Sequence, residues 1–174
     1  MGLNDSKVIN IVTTGGTIEK SYDEVDGTLA NRVSIIKERM ISQLRLPYLQ
    51  LNVHPLMAKD SLELTEIDRA VISQFVQTLL DLRCPVIVLH GTDTIHLTMA
   101  FLEAKIKNLS APVIFTGAMK PIGFEHSDAL QNVTEAIYAA QIVQPGIYLS
   151  FHGRLYEGAK VLKNRQRVTF EKVP

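Results

Sequence analysis

A single cysteine, Cys84, in 174 residues rules out an intrachain disulfide, and its place directly before an apolar run predicts a buried structural thiol. The five histidines, His54, His90, His96, His126 and His152, are scattered without a His-x-x-x-His pair, so no metal is expected. Charge of one sign is not in excess. Lys plus Arg and Asp plus Glu number 18 each, which removes any global attraction to nucleic acid or to an anionic membrane. No apolar run approaches the length of a bilayer span, and the first residues lack a basic stretch followed by an apolar signal core, so a cytoplasmic chain is expected. Met1-Gly2 with Ser6 formally fits a myristoylation pattern, but no second membrane signal accompanies it. What remains is ordinary globular composition, 46% hydrophobic and 21% charged, in a length that suits one domain over residues 1–174.

Apolar runs alternate with helical patterns along the chain. Strands are expected at Val8–Val12, Leu49–Val53, Val86–Leu89, Val113–Thr116 and Gly146–Phe151, and helices at Val33–Leu44, Glu66–Leu82, Thr94–Lys107 and Ala129–Val143. Repeated βα units imply a mainly parallel sheet covered on both faces, a flavodoxin-like or Rossmann-like three-layer α/β sandwich. In the second helix Ile67, Ala70, Val71, Phe75, Val76, Leu79 and Leu80 fall at helical spacing and read as core, with Thr65 as the N-cap. The polar stretch from Glu19 to Asn31 reads as a surface loop that could close as a lid, and Asn164 to Pro174 reads as a mobile tail or a dimer contact.

Two turns carry the chemistry. Val8–Val12 runs straight into Gly15-Gly16-Thr17, where two glycines permit positive φ and close backbone approach. Pro85–Leu89 runs into His90-Gly-Thr-Asp-Thr94 just before a helix, placing Thr92 and Asp93 at the carboxyl end of a parallel strand, where open α/β sheets bind ligands. Either turn alone has an ordinary structural explanation, since Asp and Thr are common N-caps and Gly-Gly is a common strand exit.

Together, Thr13-Thr-Gly-Gly-Thr-Ile18 and His90-Gly-Thr-Asp-Thr94 resemble the two signatures of bacterial-type L-asparaginases. Three more segments extend the resemblance in the same order: Asp60-Ser-Leu-Glu-Leu64 is similar to the family's substrate-carboxylate loop, Pro112–Pro121 to its strand and Gly-Ala-Met-Lys-Pro loop, and Leu155–Lys163 to the segment ending in its catalytic lysine. Family members usually continue into a smaller C-terminal domain, whereas this sequence stops at Pro174. The resemblance therefore implies a short-chain member carrying the N-terminal catalytic half, expected to pair as a homodimer or larger homo-oligomer so that a second copy covers the site.

The implied reaction converts L-asparagine, or L-glutamine as a side substrate, to the acid and ammonia without a cofactor. Hydrolysis of a primary amide needs a nucleophile, a proton route and oxyanion stabilisation. The resemblance gives Thr17 as the nucleophile, forming an acyl-enzyme that water cleaves, with direct attack by water as the alternative. It groups Thr92, Asp93 and Lys163 in a relay whose proton direction stays open, because a lysine acting as base needs a lowered pKa while a nearby carboxylate raises it. Asp93 would accept the substrate ammonium, Ser61 would bind its carboxylate with Asp60 shaping that loop, and the Ala118 carbonyl would meet the leaving nitrogen. Gly16 and Gly91 would allow close backbone approach, with oxyanion donors near Thr17 and Thr92. Tyr22 would be the lid tyrosine. Lys20 and Lys59 read as surface residues at or near the entrance.

Rival readings were an amidase acting on glutamine, a β-aspartyl peptide or an amide of tRNA-linked glutamate, and a catalytically weak amino-acid-binding regulatory module. A dinucleotide site is disfavoured. It needs Gly-x-Gly-x-x-Gly in the first turn, and no glycine follows Gly16 before Gly27.

Overall fold

The computed structural model describes residues 6–31, 36 and 40–173. The first strand, β1 (Lys7–Gly15), is β-branched and buried nearly throughout, and it ends in a 3-10 turn at Thr17–Glu19. A short hairpin follows, β2 (Lys20–Tyr22) against β3 (Leu29–Asn31). The remaining strands are β4 (Leu49–Lys59), β5 (Val86–Leu89), β6 (Val113–Thr116), β7 (Ile147–Phe151), β8 (Arg154–Glu157), β9 (Val161–Asn164) and β10 (Thr169–Lys172). Alternating with them are the α-helices α1 (Glu66–Asp81), α2 (Ile95–Lys105) and α3 (Ala129–Ile142).

Among the described residues, six strands form the main sheet in the order β4-β1-β5-β6-β7-β8, all parallel except β8. Counting only the parallel strands, this is the doubly wound order 2-1-3-4-5 of flavodoxin-like folds, whose switch point lies between the first and third strands. Here that point is between β1 and β5. The sheet is apolar on both faces, as parallel sheets must be when helices cover each side. Val86, Val88, Val113 and Phe115 pack with α1 and α2, while Ile87, Leu89 and Ile114 alternate to the other face and meet Val133, Ala136 and Ile137 of α3.

Several expectations need correction. The expected α1 stripe holds in its second half, where Val76, Leu79 and Leu80 are buried and Phe75 packs against the core, and fails in its first half. Ile67 is 78% exposed, and Ala70 and Val71 are also exposed, while Arg69, Ile72, Ser73, Val76, Leu79 and Leu80 turn inward. Polar Arg69 and Ser73 on the buried face disguised it, and Arg69 is accommodated by donating to the Leu64 carbonyl at 2.9 Å. Glu19–Asn31 is not a plain loop but a 3-10 turn and the β2–β3 hairpin, with Glu19 itself buried. The tail is not loose. Residues 169–172 pair with β9 as β10, and Phe170 inserts into the core. Cys84 is half-buried, not buried. Of the helix expected at Val33–Leu44, residues 33–35 and 37–39 lie outside the described residues; Ile36 is helical and accepts from the Met40 N–H at 3.0 Å, and Ile41–Gln43 is a 3-10 turn. The strand expected at Leu49–Val53 continues to Lys59.

Candidate active site

Glycine sets the geometry at the switch point. The register between β1 and β4 shifts between Thr13 and Gly15, a bulge that re-aims the chain. Gly16, at φ 84°, then donates its N–H to the Lys59 carbonyl at 2.9 Å. A Cβ at Gly16 would come closer than 3.0 Å to the Gly91 backbone, so the turns after β1 and β5 touch main chain to main chain. The glycines thus permit close approach to each other. Thr14 reinforces the junction by donating its hydroxyl to the Leu89 carbonyl at 2.9 Å. Thr17, half-buried, opens the 3-10 turn beyond Gly16, and the Gly15 N–H is held by the Glu19 carboxylate at 3.0 Å.

Gly91 has the same role toward the next segment. A Cβ there would strike Ser61 at less than 3.0 Å, which brings the Asp60–Leu64 turn onto the β5 turn. Asp60 caps that turn by accepting from the Leu62 N–H at 3.1 Å, and Thr94 donates its hydroxyl to the Ser61 carbonyl at 2.7 Å. The Ser61 hydroxyl is buried with no partner among the described residues, a donor whose isolation has a cost unless a ligand satisfies it. Lys20 reaches Asp60 at 2.6 Å, and that hydrogen bond holds the Asp60 carboxyl below its ordinary range despite the opposing effect of burial.

Thr92 is buried, and its hydroxyl accepts from Lys163 Nζ at 2.7 Å. The same ammonium lies 3.2 Å from Asp93 Oδ1. Lys163 sits in β9, outside the main sheet, so the contact spans 71 residues of sequence and is made by tertiary structure alone. His90, fully buried beneath this turn, is pushed down by desolvation to a pKa of about 4. It is neutral at pH 7. Its Nδ1 therefore donates to the Gly91 carbonyl at 2.8 Å, leaving Nε2 to accept from the Thr98 hydroxyl at 2.8 Å.

The Gly117–Lys120 loop is held by a network. Burial alone would raise the Asp128 carboxyl, but N–H donation from Met119 and Lys120 and a 2.9 Å contact from His152 Nε2 leave it below its ordinary value. Asn132 donates to the Gly117 carbonyl at 2.9 Å, and His152 Nδ1 lies 3.0 Å from the Thr169 hydroxyl of β10. Ala118 is fully buried beside this frame.

The structure thus brings Gly16, Thr17, Ser61, Gly91, Thr92, Asp93 and Lys163 to one end of the sheet. Tyr22 lies on the adjoining β2 strand, 60% exposed. Four contributors escaped the sequence reading: Arg165, which donates to Asp93 Oδ1 at 2.7 Å, and Asp128, Asn132 and His152. None of the four had a local signal: Arg165 lies in the turn just beyond β9, where strand alternation no longer fixes a side chain's face. Among the described residues there is no cluster of His, Cys, Asp or Glu suited to a metal ion, and no helix is long and apolar enough to cross a membrane.

Residues 8–172 match the family model described as Asparaginase, N-terminal. L-asparaginase 1 of Escherichia coli K12 is 32% identical over 164 residues, covering 90% of this chain and 47% of that protein. The solved L-asparaginase of Thermococcus kodakarensis superimposes with a TM-score of 0.85 at 28% identity, covering 95% of this chain and 51% of that one. L-asparaginase I of Vibrio cholerae gives 0.81 at 27% identity, with the same coverage. The chain spans about half the length of these relatives. With its signature turns meeting at the switch point and the match running over nearly every residue, the chain belongs to the asparaginase N-terminal family.

Proposed function

We propose that this chain is a catalytic domain that hydrolyses L-asparagine to L-aspartate and ammonia, with Thr17 as nucleophile and no cofactor. The observation that carries this reading is the Lys163 ammonium set between the Thr92 hydroxyl and the Asp93 carboxylate at the turn packed against Gly16. In the proposed reaction Thr17 Oγ1 attacks the amide carbon while its proton passes to the departing nitrogen, which leaves as ammonia, and water then cleaves the resulting ester to give L-aspartate and restore the Thr17 hydroxyl. Because Lys163 donates to Thr92 Oγ1, the Thr92 hydrogen points elsewhere, free to orient the attacking oxygen, and the nearby ammonium stabilises charge developing there. N–H groups of the turns around Thr17 and Thr92 serve the oxyanion. The orphaned Ser61 hydroxyl receives the substrate carboxylate, Asp60 fixes its loop, Asp93 takes the ammonium, and Ala118 offers its carbonyl to the leaving nitrogen. Tyr22 closes over the nucleophile from the β2–β3 hairpin. Cytoplasmic location and homo-oligomeric assembly belong to the same proposal.

Ammonia release from wild type and Thr17→Ala, with asparagine and glutamine in parallel, tests this. Release from asparagine by wild type and its loss in a folded Thr17→Ala supports the assignment. Near-normal turnover by the variant defeats the mechanism, and preference for glutamine moves the substrate assignment by one methylene.

A further inference from the structure

Asp93 carries two cations on one oxygen. Lys163 Nζ and Arg165 Nη2 both donate to Oδ1, at 3.2 and 2.7 Å. The two differ sharply in setting. Lys163 is 18% exposed at its side chain and is fixed by its second bond to Thr92, so it belongs to the frame of the site. Arg165 is 74% exposed and reaches in from just beyond β9, yet makes the shorter contact. Asp93 itself remains 20% exposed and open to an incoming group. The adjacent Lys20–Asp60 pair adds one charge of each sign and so leaves the excess of cations over carboxylate at Asp93 itself unchanged. An approaching ammonium therefore meets an acceptor that already carries two cations on Oδ1.

We propose that Arg165 is a specificity-determining residue that competes with the α-ammonium of the substrate for Asp93. Building on the reading that Asp93 receives this ammonium, an amino-acid ligand brings a third cation to Asp93 and weakens or displaces the guanidinium as it seats. A dicarboxylic ligand without the amine leaves the Arg165–Asp93 pair intact and meets an additional cation suited to its carboxylate. Arg165 thereby narrows the preference for amino acids over their des-amino analogues. An exposed ion pair is weak and screened by salt, so displacement is feasible and its effect modest. The forked guanidinium holds a carboxylate more directionally than an ammonium does, which makes lysine an incomplete substitute.

The test measures inhibition of asparagine hydrolysis by L-aspartate and by succinate, which differ only by the ammonium, in wild type, Arg165→Ala and Arg165→Lys at fixed ionic strength. Arg165→Ala is expected to tighten aspartate relative to succinate by about two- to fivefold, the range of an exposed ion pair, and Arg165→Lys to return the ratio toward wild type. An unchanged ratio, or one that moves toward succinate, overturns the role of Arg165 while leaving the asparaginase reading in place. Failure of wild type to hydrolyse asparagine overturns that reading and this inference with it. Retention of the wild-type circular dichroism spectrum by both variants assigns any change in ratio to the site and not to folding.

Discussion

The turn that bears Thr17 and the hairpin that bears Lys163 reach the same place by opposite means. The first is fixed by steric contact, Gly16 against the Gly91 backbone and Gly91 against the Ser61 side chain, and by hydrogen bonds buried at the end of the sheet. The second lies outside the main sheet, anchored by Val161 and Phe170 in the core, and delivers its lysine through polar contacts to Thr92 and Asp93. Packing tolerates no added atom. Polar delivery tolerates a changed side chain but responds to charge, pH and salt. One site therefore has a rigid half and a tunable half.

The rigid half breaks most completely. Gly16→Ala puts a Cβ into the Gly91 backbone at a positive φ, and is expected to abolish turnover and to lower stability by about 2–4 kcal/mol, read by urea denaturation beside the ammonia assay. The tunable half breaks differently. Lys163→Met is expected to depress kcat by about 10²–10³-fold, more than it affects KM, while the β9–β10 hairpin stays folded on its apolar anchors. Near-normal kcat in that variant would show that the ammonium only decorates Thr92.

Acid probes the floor of the rigid half. His90 titrates near 4 when folded and near 6.5 when unfolded, so between those values the unfolded chain binds more protons. Stability present above pH 6.5 is expected to fall by on the order of 3 kcal/mol as pH drops to 4. Denaturation midpoints at pH 7, 5 and 4 measure the slope, and His90→Gln should flatten it. The smallest expected effect is at the Asp128 network. Asp128→Ala leaves the Met119 and Lys120 N–H groups without their acceptor and should cost about 1–2 kcal/mol, with a loss of turnover if the Ala118 loop shifts. Unchanged kinetics would confine that network to stability.

The legible parts of this molecule were those with local physical causes. Apolar runs rich in β-branched residues marked four strands of the main sheet, the alternation of Leu49, Leu51 and Val53 marked a fifth, and Gly-Gly after the first of them announced a turn with positive φ. Capping chemistry placed the start of α1 at Thr65, whose hydroxyl accepts the Asp68 N–H at 3.2 Å. Periodicity misjudged the first half of α1 because Arg69 and Ser73 are polar yet buried, and a polar residue declares its burial only through the partner it finds.

The amino-acid sequence by itself determined the alternation of strands and helices, the glycine-bearing turns that end β1 and β5, and the order of the segments that resemble the family. Only the tertiary structure decided which of those ends meet. The contacts of Lys163 and Arg165 with Asp93 span 70 and 72 residues, and that of His152 with Asp128 spans 24. Turn and strand preferences act over a few residues, whereas pairing across such separations follows from the order in which hydrophobic burial stacks the strands.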